Sequence, residues 1–227
     1  MYEMIKTLSL GFCLLTAGIV LRAESVEEIL ARMDKAAPTF HGIAANVQMT
    51  TFTAILSDKT EEYGTLKMQR LNSGDVHAII EFSGGSDART IAFLGKTVRI
   101  YYPKLNQYQD YDLGKNSNIL NQFLLLGFGS SGRELAQSYQ ITSEGAEKVA
   151  EQATTKLLLI PKDSKVLEHL QKVEVWIPDN AAYPAQQQFY EPSGNWRRTT
   201  YANIQLNPSL RKTLELQLPQ GAKRQSE

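Results

Sequence analysis

Apolar and polar residues alternate along most of this chain, which is the pattern of strands that bury one face. A clear example is Ile43, Ala45, Val47 and Met49, each separated from the next by one polar or small residue. Comparable patterns predict further strands at residues 66–70, 76–82, 90–94, 97–102, 107–113, 140–144, 154–160, 172–177, 185–190, 195–206 and 213–218. About a dozen strands joined by turns predict an antiparallel sheet that curls into a barrel or half-barrel.

The pattern changes to helical spacing in a few short segments. Ser25 and Glu28 form a capping box before an amphipathic helix that is expected to reach Ala36, and Ser131 is predicted to cap a second helix ending near Gln137. Residues 164–171 are predicted to add one or two helical turns, and residues 223–227 to be frayed. No linker-like stretch divides residues 24–227, so a single domain is expected.

Residues 118–129 predict a helix that is apolar on nearly every side and ends at Gly127 or Gly129. Its apolar residues are Ile119, Leu120, Phe123, Leu124, Leu125, Leu126 and Phe128. Such a helix must be buried on more than one side. Among antiparallel strands it is expected to act as a plug or lid over a concave sheet, which indicates a protein that binds something apolar.

The N-terminus has the composition of an export signal. Lys6 precedes an apolar run from Leu8 to Leu21, which is shorter than the roughly 20 residues of a membrane-spanning helix. Residues 1–23 are therefore predicted to be a signal peptide that is cleaved after Ala23. An uncleaved anchor or a buried N-terminal helix are the alternatives.

Charge and cysteine content exclude several kinds of function. The 24 basic residues balance the 24 acidic ones, so there is no electrostatic case for nucleic-acid binding. The single cysteine, Cys13, lies inside the predicted signal peptide, which leaves no thiol nucleophile or cysteine-bound metal in the mature chain.

Motifs that could carry chemistry are weak. Residues 127–132 match the G-x-G-x-x-G pattern, but they follow the apolar helix rather than a strand, so a helix stop and a loop are the better interpretation. His41, His77 and His169 lack metal-ligand spacing, and no catalytic set is evident. Arg70 shares a face with Leu66 and Met68, where its guanidinium either bonds to helix-end or loop carbonyls or extends to water.

Several blocks of the sequence together resemble the LolA family of periplasmic outer-membrane lipoprotein carriers. They include residues 64–70 (GTLKMQR), 93–103 (FLGKTVRIYYP), 173–178 (VEVWIP), 190–194 (YEPSG) and 216–221 (LQLPQG). The resemblance implies an incomplete, half-open antiparallel β-barrel of about 11–12 strands, with short helices that cover an apolar cavity for acyl chains. It further implies that Arg70 latches the lid and that the lid helix contributes Ile119, Leu120, Phe123, Leu124 and Phe128.

The cavity is expected to be lined by the more apolar face of the strands. Its residues are predicted to be Val47, Met49, Leu66, Met68, Ile80, Phe82, Ile91, Phe93, Ile100 and Tyr102. The resemblance implies a monomeric, non-enzymatic periplasmic carrier of lipoproteins that needs no cofactor or metal. Its partners would be an inner-membrane lipoprotein-releasing transporter and an outer-membrane acceptor. A carrier or sensor of another envelope lipid or glycolipid is the alternative.

Overall fold

The computed structural model describes residues 23–73, 75–83, 88–114, 125–210 and 214–225. Twelve strands in these ranges form one sheet. Their bounds are β1 Gly42–Thr53, β2 Asp58–Arg70, β3 Val76–Phe82, β4 Arg89–Leu94, β5 Thr97–Tyr102, β6 Gln107–Asp112, β7 Tyr139–Val149, β8 Gln152–Pro161, β9 Lys172–Pro178, β10 Gln186–Tyr190, β11 Trp196–Leu206 and β12 Lys223–Arg224.

The sheet is open, in the order β12-β6-β5-β4-β3-β2-β1-β11-β10-β9-β8-β7. Consecutive strands pair as antiparallel hairpins from β1 to β6 and from β7 to β11, and β1 joins the two halves by pairing with β11. Gly95 and Lys96 form the two-residue turn between β4 and β5, with Gly95 at φ +65°. The predicted fold class, a mainly β half-open barrel with short helices, is confirmed.

Three α-helices in the described ranges accompany the sheet: α1 Val26–Ala36, α2 Gly132–Ser138 and α3 Ser164–Leu167. The predicted capping box at Ser25 and the predicted cap at Ser131 are both present, and Ser131 also forms a full capping box. In each, the serine hydroxyl accepts from the backbone N–H of the glutamate three residues later, and the glutamate carboxylate accepts from the backbone N–H of the serine. None of the helices in the described residues is long and apolar enough to cross a membrane.

The C-terminal segment differs from the prediction. The described part of the expected strand at 213–218 is not a strand, because Leu214 packs with Ile79 and Ala92 on the outer face of the sheet without pairing. Conversely, β12 forms where fraying was expected. The Lys223 amide donates to the Asn106 carbonyl at 3.0 Å, which makes a short parallel pairing at the free edge of β6.

Apolar clusters cover the inner face of the sheet in both of its halves. One cluster joins α1 and α2 to β7, β8 and β9, with Ile29, Met33 and Val173 at its centre. Another lies on β1 to β4 and includes Ile43 and Met68. Residues 125–131, which precede α2, contact both clusters through Leu126 and Phe128.

A polar network lies on the outer face of β8 to β10. The carboxylate of Glu174 is buried and is bonded by Lys172 at 2.8 Å, Lys156 at 3.1 Å and the Tyr190 hydroxyl at 3.0 Å. Burial would raise the pKa of this carboxyl, but the bonds from Lys172, Lys156 and Tyr190 hold it below its ordinary value. The network is therefore a structural ion cluster, in which Lys156 also pairs with Glu144 at 2.9 Å.

Candidate functional site

The inner face of β1 to β4 brings together most of the residues predicted to line a cavity. Eight of the ten belong to or pack against one cluster: Val47, Leu66, Met68 and Phe82 are buried, and Met49, Ile80, Ile91 and Phe93 are partly buried. The register explains this, because Leu66 lies opposite Ile80 and Ile80 lies opposite Ile91. These side chains form a continuous apolar floor across four strands.

The other two predicted lining residues lie further along the sheet. Ile100 of β5 lies opposite Ile91 of β4, and Tyr102 lies two residues later on the same face of β5. Both are half-buried and lie outside the main cluster. The floor is thus centred on β1 to β4, and β5 extends it toward the free edge of the sheet.

Residues 125–130, here called the plug segment, lie over this floor. The Phe128 side chain is only 2% exposed and joins the floor cluster, where its ring meets Tyr201 edge-on at a centroid distance of 4.9 Å. Leu126 points instead into the cluster beneath α1 and α2. The plug segment therefore connects the two halves of the interior.

The predicted apolar helix is only partly visible. Ile119, Leu120, Phe123 and Leu124 lie outside the described residues. Phe128 was predicted to be helical, but it lies in a turn, because Gly127 and Gly129 adopt φ of +74° and +76°, which ends helical geometry.

Two side chains of the described chain hold the plug segment through its backbone carbonyls. The Arg70 Nη2 donates to the Gly129 carbonyl at 2.7 Å, and the guanidinium lies 5.8 Å from the centre of the Phe40 ring. From the opposite side, the buried Gln187 donates through Nε2 to the Leu126 carbonyl at 2.5 Å. Of the interpretations left open for Arg70, the bond to a loop carbonyl is the one present.

The Gln187 side chain is itself fixed by a further hydrogen bond. The Tyr201 hydroxyl donates to Gln187 Oε1 at 2.6 Å, so that the amide is oriented with its nitrogen toward the plug segment. Burial of this hydroxyl raises the pKa of Tyr201, which keeps it a neutral donor at ordinary pH. Gln187 and Tyr201 were not predicted from the sequence. The only signal available was a run of three glutamines, residues 186–188, within a predicted strand.

The glycines of the G-x-G-x-x-G pattern have structural roles. A β-carbon at Gly129 would overlap the Phe40 ring, and one at Gly132 would overlap the Leu30 carbonyl of α1. The pattern therefore allows the plug segment and the start of α2 to approach their neighbours closely. This supports the interpretation of residues 127–132 as a helix stop and a loop.

Space remains on both sides of the plug segment. A cavity of about 270 Å³ is lined by Arg70, Leu125, Ser130 and residues of α2, and a second of about 190 Å³ is lined by Met33, Phe40 and Gly129 among others. The described residues contain no group of His, Cys, Asp or Glu side chains that could hold a metal ion. Two cavities therefore adjoin the plug segment, one beside α2 and one beside α1.

No protein-family model and no curated protein matches the sequence. An uncharacterized conserved protein from Thermus thermophilus has a similar solved structure, with a TM-score of 0.51 and 17% identity over 88% of this chain and 98% of that chain. A LolA superfamily protein from Nitrosomonas europaea matches with a TM-score of 0.38 and 14% identity over 82% of this chain and 95% of that chain.

The MucA/MucB complex of Pseudomonas aeruginosa also matches, with a TM-score of 0.47 and 13% identity over 85% of this chain. This chain spans 61% of the matched chain, which is less than two thirds of its length. At such identities the likeness is one of fold alone, and it agrees with the half-open antiparallel sheet that the resemblance in the sequence implies.

Proposed function

We propose that this protein is a periplasmic carrier that binds acyl chains between the inner face of β1 to β4 and the plug segment. The observation that carries the proposal is the position of Phe128, whose ring occupies the apolar floor while its backbone is held by reversible hydrogen bonds. The segment thus fills the site where an acyl chain would lie and can be displaced from it.

An acyl chain can compete with the Phe128 side chain for the apolar floor. Burial of an acyl chain stabilises the complex by about 0.8 kcal/mol per methylene, so a chain of about 16 carbons contributes more than about 10 kcal/mol gross. Burial of one phenylalanine side chain contributes about 1.5–3 kcal/mol. A lipid can therefore replace Phe128 on the floor, whereas in the absence of lipid the phenylalanine keeps the floor out of water.

The cargo that we propose is the acylated end of a lipoprotein, carried between the inner and outer membranes. The support is the family resemblance of the sequence together with the apolar floor. On this proposal, residues 1–23 direct export, the carrier acts as a monomer, and it exchanges cargo with an inner-membrane lipoprotein-releasing transporter and an outer-membrane acceptor. It catalyses no reaction, and Arg70 serves as the latch of the plug segment.

The first experiment identifies what the protein carries. The protein would be expressed as the full chain in a bacterium with an outer membrane, purified without detergent, and extracted for mass spectrometry. Triacylated lipoprotein in the extract is the expected result. Free lipid without lipoprotein would favour a carrier of another envelope lipid, and an extract without lipid would contradict the proposal.

The second experiment tests whether Phe128 competes with cargo. Binding of a fluorescent fatty acid would be compared for the wild type, Phe128→Ala and Phe52→Ala, the last being a phenylalanine on the outer face stacked on Trp196. Phe128→Ala is expected to bind the fatty acid about tenfold more tightly, because it removes a competing side chain. Phe52→Ala should bind like the wild type.

An ordinary core role for Phe128 gives the opposite result. In that case Phe128→Ala would destabilise the fold and bind the fatty acid no better than the wild type. Because the alanine variant could unfold, Phe128→Leu is measured in parallel, and circular dichroism confirms that each variant is folded. Leucine fills less of the floor than phenylalanine, so a smaller gain in affinity is expected.

A further inference from the structure

The hairpin between β1 and β2 ends in two exposed aliphatic side chains. Ile55 is 91% exposed and Leu56 is 71% exposed, the highest values among the large apolar residues of the described chain. They lie in a single 3₁₀ turn at Ala54–Leu56. Exposure of adjacent large aliphatic residues at a tip is unfavourable in water and indicates a surface that is covered in use.

The hairpin projects beyond the strands on one side. Gly64 of β2 lies opposite Phe82, the last residue of β3, so the six residues of β2 from Asp58 to Tyr63 extend past that strand. At about 3.3 Å per residue this is an extension of about 20 Å. Pairing between β1 and β2 continues to the last pair, Thr53 with Asp58, so the tip is carried on a regular two-stranded ribbon.

Neighbouring groups hold the tip in place. The Ala54 amide donates to Asn195 Oδ1 at 2.9 Å in the turn between β10 and β11, and Ser57 closes the tip in the left-handed region at φ 49°. The geometry therefore presents Ile55 and Leu56 outward on a supported turn. A fixed orientation of this kind is expected of a contact surface rather than of a collapsing loop.

The residues behind the tip match the boundary of a lipid bilayer. Phe52 and Trp196 are stacked at 5.6 Å, and the Lys59 ammonium lies 5.5 Å from the centre of the Trp196 ring. Tryptophan and lysine are favoured at the level of lipid headgroups, where an apolar body and a polar end are both accommodated. The order along the hairpin is thus aliphatic tip, then aromatic and basic residues, then polar strand.

Other exposed leucines lie at the same ends of the strands. Leu105, which is 64% exposed, lies in the turn that joins β5 to β6, and Leu167 lies in α3 between β8 and β9. By contrast, the turns at the opposite ends, between β4 and β5 and between β7 and β8, carry Lys96 and Glu151 as exposed residues. Ile55, Leu56, Leu105 and Leu167 thus share the end that bears the hairpin tip, whereas Leu206, which is 50% exposed, lies at the opposite end of β11.

From these observations we infer that the β1–β2 hairpin tip inserts Ile55 and Leu56 into the surface of a lipid bilayer. Two side chains on a convex tip offer far less than the about 800 Å² per partner of a stable protein interface, whereas a bilayer accepts a small apolar wedge. Charges on and beside the hairpin balance, with Asp58, Glu61 and Glu62 against Lys59, Arg89 and Arg197. The contact is therefore apolar and shallow, and it does not depend on anionic lipid.

This inference goes beyond the proposed function, because contact between the tip and a bilayer requires no cargo. The test uses the full chain with Cys13→Ser, so that one introduced cysteine is labelled with an environment-sensitive fluorophore. Ile55→Cys reports on the tip, and Lys96→Cys reports on the opposite ends of the strands. Any contribution of the N-terminal segment is common to all variants.

Vesicles of phosphatidylethanolamine and phosphatidylglycerol, and vesicles of phosphatidylcholine alone, are added without lipoprotein. The label at 55 is expected to shift to the blue and brighten with both kinds of vesicle, at low and high salt, whereas the label at 96 stays unchanged. Leu56→Asp should weaken the response at 55 about tenfold or more, because a charge replaces the second inserted side chain. Leu206→Asp, which alters an exposed leucine at the opposite end, should leave it unchanged.

Absence of a response at 55 would overturn the inference, as would equal responses at 55 and 96. A response that occurs only with anionic vesicles and is abolished by salt would indicate electrostatic adsorption rather than insertion, and it would also contradict the inference. Fatty-acid binding is measured on the same variants and is expected to be unaffected by Leu56→Asp. If the wild type binds no fatty acid, the proposed function fails, while the vesicle response still decides the role of the tip.

Discussion

Replacement of Arg70 by leucine tests whether the guanidinium holds the plug segment. The substitution removes the donor to the Gly129 carbonyl and the contact with the Phe40 ring. A hydrogen bond from a charged group contributes about 1.5–3 kcal/mol. Because Arg70 is half-exposed and water can replace it at the carbonyl, the loss of this bond is expected to cost about 1.5 kcal/mol, the lower end of that range. That corresponds to about a tenfold increase in the opening constant of the segment.

Hydrogen exchange followed by mass spectrometry measures this opening directly. The Phe128 amide donates to the Leu125 carbonyl at 2.8 Å, so its exchange reports on the plug segment. Exchange of peptides that cover residues 125–131 should accelerate about tenfold in Arg70→Leu. Peptides from β9, where Val173 is fully buried, should exchange as in the wild type, because the change is local.

Two variants control for charge and for general destabilisation. Arg70→Lys keeps a cationic donor on a shorter side chain, so it should accelerate exchange less than Arg70→Leu does. Arg99→Leu removes a guanidinium that pairs with Asp110 at 2.6 and 2.9 Å elsewhere in the sheet, so it should leave residues 125–131 unaffected. Unchanged exchange in Arg70→Leu, or equal acceleration in β9, would refute the latch.

Three further predictions concern packing, burial of charge and pH. Gly129→Ala should lower the free energy of unfolding, measured in urea, by about 2–4 kcal/mol, because the residue has a positive φ and its new methyl group would overlap the Phe40 ring. Gly95→Ala is the control: it has a positive φ but open space around it, so it should lower the free energy of unfolding by about 1 kcal/mol. In the ion cluster around Glu174, Glu174→Gln should lower the free energy of unfolding by about 3 kcal/mol, because it leaves two lysines without their buried partner. Glu144→Gln, at the exposed end of the cluster, should lower it by less than about 1 kcal/mol, and equal losses would contradict a buried ion cluster. Burial raises the pKa of Tyr139 from 10.0 to about 12, so its contribution to stability is present below pH 10 and lost as pH rises from about 10 to 12; Tyr139→Phe should flatten that fall in urea titrations, and an unchanged slope would contradict it.

Alternation of apolar residues predicted the strands well where one face is buried and the other is not. It failed at residues 213–218, where Leu214 and Leu216 have strand-like spacing but pack on the outer face of β3 and β4. It also missed β12, because that pairing depends on backbone groups of β6 rather than on side-chain pattern. Alternation reports on burial, and backbone pairing is a separate property.

The site was only partly predictable for a similar reason. The need of a guanidinium on an apolar face for carbonyl partners indicated a role for Arg70. Its partner, Gly129, lies 59 residues away and is brought close by tertiary structure alone. Gln187 was not predicted at all, since a polar residue in a strand ordinarily faces water, and only the fold shows that it is buried and bonded to Leu126.

The way in which the plug segment is held explains how one chain could both close its interior and yield to cargo. Two hydrogen bonds to backbone carbonyls contribute about 1–3 kcal/mol each, and the buried side chains of Leu126 and Phe128 contribute about 1.5–3 kcal/mol each. The sum, about 5–12 kcal/mol gross, is comparable to what one long acyl chain contributes. The closed state, with the plug segment on the floor, and the lipid-bound state therefore differ little in free energy, and binding or release of a lipid can shift the equilibrium between them.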